Sequence, residues 1–411
     1  ESQAVTVTES GATADFSLTN SPVAIESVTI VGSRFRPRTQ ITSAVPIDNL
    51  QARELISTGQ VSLDHMLAYK VPSYNVSQQT ISDATAHFDP AELRGLGPSR
   101  TLVLINGKRR HASSLVYIND TPGKGEVGVD RRSIPTAAIE RVEVLRDGAS
   151  AQYGSDAIAG VVNIIMKEET DYTEINLSAG QTAGGHRNAG DGDNKSVDIN
   201  HGMNLGEKGY LSVTASYHDQ DETRRTGEPG GDGLFGFLYD IGAIPIQAAG
   251  GFEATPGVVA TGAQIRSGDT DWQRENPDLG TRIGTPNMTT ADVFLNGSYD
   301  LNEQTELYAF TGFTQREGLS YALYRAPYWP GVSDCCGLIP GASANGFQPT
   351  FETDITDNSF TAGVRGRKMD WDFDASLSSG RNTVDYTVDN SLNMDLGADS
   401  PTTFEPGGYE F

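Results

Sequence analysis

Beyond about residue 170 the sequence alternates. Seven segments place apolar and polar side chains at successive positions, a period that sends the two sets to opposite faces of a strand. In the first, Ile175, Leu177 and Ala179 oppose Glu174, Asn176 and Ser178. The second sets Val197, Ile199 and Met203 against Ser196, Asp198 and Asn200, and the third runs Leu211, Val213, Ala215 and Tyr217. The fourth carries Val293, Leu295 and Tyr299, and the fifth, Glu306–Thr314, is less regular. The sixth has Phe360, Ala362 and Val364, and the seventh Trp371, Phe373, Ala375 and Leu377. Their connections run long (180–194), short (205–209), long (221–288), short (301–304), long (318–356) and short (369–370). A transmembrane barrel needs short turns at one end and long loops at the other, whereas a soluble sandwich has no reason to keep that order. Asp198, Asp300, Asp372 and Asp374 fall on the polar face. A charge is penalised against hydrocarbon, so this face lines a wet interior that something must fill.

Composition narrows the function. There is no stretch of 18 apolar residues that would make a transmembrane helix. The net charge is −24, with 16 Lys+Arg against 19 Asp+Glu in residues 1–170 and 14 against 35 in the remainder. So acidic a surface excludes nucleic acid as a partner. Cys335 and Cys336 are adjacent and the only cysteines. They cannot staple a chain of this size, though a vicinal disulfide stays open. The six histidines have no metal-ligand spacing, and there is no nucleophile elbow or phosphate loop, so an enzyme is not expected. No cofactor is expected either. The acidic clusters Asp191-Gly-Asp193 and Asp219-Gln-Asp-Glu222 could hold calcium, but neither has a complete calcium-loop spacing.

Before residue 168 the pattern is mixed. Residues 1–24 read as a remnant or linker, and 25–50 as a β-prone stretch followed by a basic one. Residues 51–167 read as a small α+β domain. Ala52–Ile56 and Leu63–Ala68 suit short helices, and Thr101–Ile105, closed by Asn106-Gly107, is a buried strand with a turn. Arg141–Leu145 and Gly160–Met166 are further strands. Residues 168–411 form the alternating region.

Three stretches of the α+β domain resemble the plug domain of TonB-dependent receptors. They are Leu93-Arg-Gly-Leu-Gly97 with Arg100–Gly107, then Ser133–Gly154, then Ser155–Ile165. The resemblance implies an α+β plug inside a large antiparallel transmembrane β-barrel of about 22 strands, of which this chain holds about seven. It places the protein in the outer membrane of a Gram-negative bacterium. It implies TonB-dependent active import of a scarce solute, such as an iron chelate, vitamin, oligosaccharide or peptide. The alternative is a binding or signalling receptor that transports little. Implied partners are the TonB energy-coupling protein of the inner membrane, outer-membrane lipid, the solute and a surface lipoprotein. Residues 1–24 also resemble the tail of a carboxypeptidase-regulatory-like module.

The same resemblance assigns roles. Glu26, Ser27, Val28, Thr29, Ile30, Val31 and Gly32 are similar to the TonB box, an extended segment that can add a strand to a partner's sheet. Arg94 and Arg146 match arginines that pair with carboxylates of the barrel wall; Arg146-Asp147-Gly148 departs from the family's usual Arg-Gly-Pro. By the family's order, loops near Thr80–Pro90 and Leu115–Asp130 face outside. Tyr117, Asn119 and Asp120 are cargo candidates there, with Tyr324, Tyr328 and Trp329 in the later loop. Ser400–Gly408 holds two prolines and no alternation, so it is not expected to be a closing strand, and it is not among the seven. Seven strands cannot close a barrel, and open edges in lipid are not viable. The chain is therefore expected to stop mid-barrel.

Overall fold

The computed structural model describes residues 47–78, 84–118, 121–183, 191–224, 282–325, 347–393, 396 and 399–411, with short strand pairs at 28–29/38–39 and 252–255/258–260. The first domain is built on a five-stranded sheet. Its strands are β1 (Ile47–Gln51), β4 (Thr101–Ile105), β5 (Lys108–Arg109), β6 (Ile139–Leu145) and β7 (Gly160–Met166), in the order β1-β6-β7-β4-β5. β4 and β7 are parallel, and the other pairs antiparallel. Asn106 and Gly107 both have positive φ (48° and 78°), the backbone a two-residue hairpin needs, and they join β4 to β5. A separate hairpin pairs β2 (Tyr74–Val76) with β3 (Ala91–Leu93).

Two short helices cover one face. α1 (Ala52–Ile56) starts where the Glu54 carboxylate accepts the Gln51 N–H at 3.1 Å. α2 (Leu63–Lys70) ends at Val71, just before Pro72, which cannot continue it. Leu55, Leu63, Met66 and Leu67 pack on Val103, Val142, Val144, Val162 and Ile164. The sheet is thus already under way at Ile47, inside the stretch assigned from sequence to a linker. Ile47-Asp-Asn-Leu-Gln51 has no alternation to reveal it, and its place is set by pairing with Arg141–Leu145.

The alternating region forms one antiparallel sheet. Its strands are β8 (Tyr172–Thr182), β9 (Asp191–Asn204), β10 (Gly209–Gln220), β11 (Asn287–Asn302), β12 (Thr305–Tyr321), β13 (Thr350–Lys368), β14 (Trp371–Asp389) and β15 (Phe404–Glu410), neighbours in chain order. The seven expected strands are all present, and connections 205–208, 303–304 and 369–370 make one rim of tight turns. An eighth strand, at the edge of the sheet and closing nothing, extends the count of seven expected from the sequence. β15 pairs with β14 through a register shift in which Glu405 and Pro406 together face Thr387. A bulge tolerates a proline that a regular ladder would reject, and it also erases the alternation.

Outward positions carry Ile175, Leu177, Tyr217, Val293, Leu307, Phe313, Phe360, Trp371 and Leu377, all exposed. Inward positions carry Asn200, Thr214, Asp292, Thr314, Arg316, Asp357 and Asn382, all buried because the first domain sits against them. Phe294 and Phe310 also point inward and join the first domain's own apolar core. Burying a Phe side chain stabilises by roughly 1.5–3 kcal/mol, so the wall contributes to the core of the first domain.

Candidate functional site

Here the candidate site is the seam between the inner domain and the wall, where motion would have to begin. Fixed polar stations cross it. In the first, Arg110 and Asp357 form a buried ion pair. His111 Nε2 lies 2.9 Å from Asp357 Oδ2, and the Asn382 amide donates to the same oxygen at 2.9 Å. The Ser114 N–H in turn donates to Asn382 Oδ1 at 2.8 Å.

In the second station the polarity reverses. Arg316 of β12 donates two bonds to Asp130 of the inner domain, at 2.6 and 3.3 Å, both side chains fully buried. Its guanidinium also lies over the Phe88 ring, 5.1 Å from the centroid. Leaving either buried charge without its partner costs about 3–5 kcal/mol.

Smaller contacts flank these. Asn106 donates to Asn296 Oδ1 at 3.1 Å, and Asn296 donates to the Lys167 carbonyl at 3.0 Å. Lys108 reaches Asp374 at 2.7 Å. Burial alone would disfavour its ammonium, but hydrogen bonds to Asp374 and Tyr308 raise its pKa above the ordinary lysine value. Between the stations Phe88, Leu115 and Tyr117 pack on Ile355 and Val384 of the wall.

The residues singled out from sequence fall elsewhere. Arg146 bonds Asp48 of β1 at 2.5 Å, and Arg94 stands 3.7 Å from Asp147. Both contacts lie inside the inner domain, so neither arginine locks to the described wall. The reason is local: Arg146 follows β6, whose neighbour β1 presents Asp48, and Arg94 is turned by a positive φ of 62° toward the surface. Tyr117 is 2% exposed and belongs to the seam's apolar contact, so it offers nothing to cargo. Burial raises its hydroxyl pKa. The stretch around 80–90 likewise turns inward at its end, burying His87 and Phe88 against the wall.

Tyr324 is half-buried, and burial pushes its hydroxyl up to about 12. Val28 and Thr29 pair antiparallel with Thr39 and Arg38. Glu26, Ser27, Ile30, Val31, Gly32, Asn119, Asp120, Tyr328, Trp329, Cys335 and Cys336 lie outside the described residues. Asp191 accepts the Arg224 N–H and Glu222 pairs with Arg224 and Arg282. Among the described residues no three His, Cys, Asp or Glu side chains converge as a metal site. The residues that matter most at the seam, Arg110, Asp130, Arg316 and Asp357, escaped the sequence reading. Their signal was present: Arg316 and Asp357 are charges on the inward, polar parity of their strands.

A small domain wedged by buried bonds into an antiparallel wall, apolar outside and polar inside, defines a plugged outer-membrane barrel. Residues 39–161 match the model of the TonB-dependent Receptor Plug Domain. The inner domain thus matches the plug of TonB-dependent receptors, and the chain is similar to outer-membrane receptors of that family from Gram-negative bacteria. It is 30% identical over 169 residues to a ferric enterobactin receptor of Pseudomonas aeruginosa, covering 39% of this chain and 22% of that protein. It is 32% identical over 161 residues to the vitamin B12 transporter BtuB of Vibrio vulnificus, covering 38% and 24%. Among solved structures, a ferric enterobactin receptor mutant from Pseudomonas aeruginosa, in complex with enterobactin, superposes with a TM-score of 0.52 at 18% identity. That match covers 89% of this chain and 44% of the solved one. The chain therefore spans less than half the length of the relatives it matches.

Proposed function

We propose that the whole protein imports an iron chelate, with a vitamin-class solute as second choice, driven through TonB. The observation that carries this reading is the plug itself. A domain held across a lumen by buried ion pairs is a gate, and a gate implies an energy source that opens it. The similarity to ferric enterobactin receptors and to a vitamin B12 transporter supports the choice of cargo. Glu26–Gly32 is the coupling segment, its β-prone sequence suited to pairing with a strand of TonB. Tyr324, Tyr328 and Trp329 offer aromatic faces to cargo from the outer loop.

The test is deletion of residues 26–32 from the full-length protein in cells. Binding of labelled ferric enterobactin or vitamin B12 should persist while uptake falls to background. Uptake that survives the deletion would overturn the coupling role. Binding without uptake in the intact protein would favour a receptor that signals rather than transports.

A further inference from the structure

A plug seals only if its position is fixed to within a side chain's width. Two inward glycines of the wall lie directly under plug histidines. Gly318 pairs across strands with Thr353, and a Cβ built on it would stand 2.7 Å from His87 Cδ2 and 2.8 Å from Nε2. Gly380 pairs with Ser359, and a Cβ there would stand 2.2 Å from His111 Nδ1 and 2.3 Å from Cγ. Approaches below 3.0 Å force something to move.

Both rings are held in place, His87 by burial and His111, at the edge of a cavity of about 530 Å³, by its hydrogen bonding. His87 is fully buried and hydrogen-bonded through Nδ1 to Thr353 Oγ1 at 2.8 Å. His111 is tied to Asp357, which Arg110 and Asn382 hold in turn. Thr353 and Ser359 lie on one strand, six residues apart, a separation of about 20 Å at ~3.3 Å per residue. Two points that far apart determine both the depth and the rotation of the inner domain.

We propose that Gly318 and Gly380 are notches that seat His87 and His111, and that these two contacts set the closed register of the plug. The neighbouring ion pairs supply attraction but tolerate a small slide. Close-packed atoms do not, so position comes from the notches. The inference rests on the plug fold and not on the cargo or on TonB coupling.

The experiment uses the full-length protein in the outer membrane and needs no transported solute. Gly318→Ala and Gly380→Ala are each tested for entry of vancomycin, with barrel folding followed by heat-modifiable gel mobility. Each substitution should raise vancomycin sensitivity several-fold. Adding His111→Gly to Gly380→Ala, or His87→Gly to Gly318→Ala, should lower the leak again because the added methyl no longer strikes a ring, but not to the wild-type level because one of the two contacts is gone. A wild-type seal in the alanine variants, or a leak unchanged when the opposing ring is removed, overturns the proposal. If a glycine variant does not assemble, the double variant still decides: recovered assembly supports the notch, and continued failure refutes it.

Discussion

His87 is buried beside the guanidiniums of Arg316 and Arg132. Loss of water, then the guanidiniums of Arg316 and Arg132, lower its pKa from 6.5 to about 3. An unfolded plug exposes the ring, which takes up a proton near pH 6.5, while the folded plug refuses it until about pH 3. Between those values the unfolded state binds more protons, so plug stability falls as the pH is lowered through that window. Limited proteolysis across a urea series should show the plug released at lower urea at pH 4 than at pH 7. His87→Gln should flatten that dependence, and an unchanged slope would refute the assignment. None of this was legible locally. Thr-Ala-His-Phe-Asp reads as a polar loop, and its burying partner Thr353 lies 266 positions away. Tyr117 was misread for the same reason, since the glycines and charges near it disguise a loop that folds back onto the wall.

Among elements, the wall strands were legible because each one separates two environments, and that separation is written as alternation. β1 and β15 were not. Both are edge strands of their described sheets, placed by pairing with a neighbour rather than by their own pattern. β7 was legible as a continuous apolar run, and its first residue makes a strict demand. Gly160 has φ 154°, and a Cβ there would stand 2.3 Å from the Leu145 carbonyl and 2.6 Å from Leu93. Gly160→Ala should destabilise the plug by about 1–3 kcal/mol, the usual cost of overpacking. Hydrogen exchange of the β6 and β7 amides measures it, and unchanged protection would show that the sheet can open to admit a methyl group.

For the whole molecule, the solvent on each side of the wall decides which substitutions are tolerated. Leu377 faces outward and is 73% exposed. Leu377→Arg in the full-length protein should lower barrel stability in lipid vesicles by about 2–4 kcal/mol, and Leu377→Ala by much less. Equal effects would mean that this position does not meet hydrocarbon. Inside, the two buried ion pairs that cross the seam have opposite polarity. The plug gives a cation at Arg110 and an anion at Asp130, and the wall answers with Asp357 and Arg316. That crossing has a consequence for inheritance. A plug grafted into a barrel that lacks the matching pair would leave two unanswered ions entombed at once. Recombination can therefore exchange this plug only for one that carries the same two charges, or into a barrel that answers both.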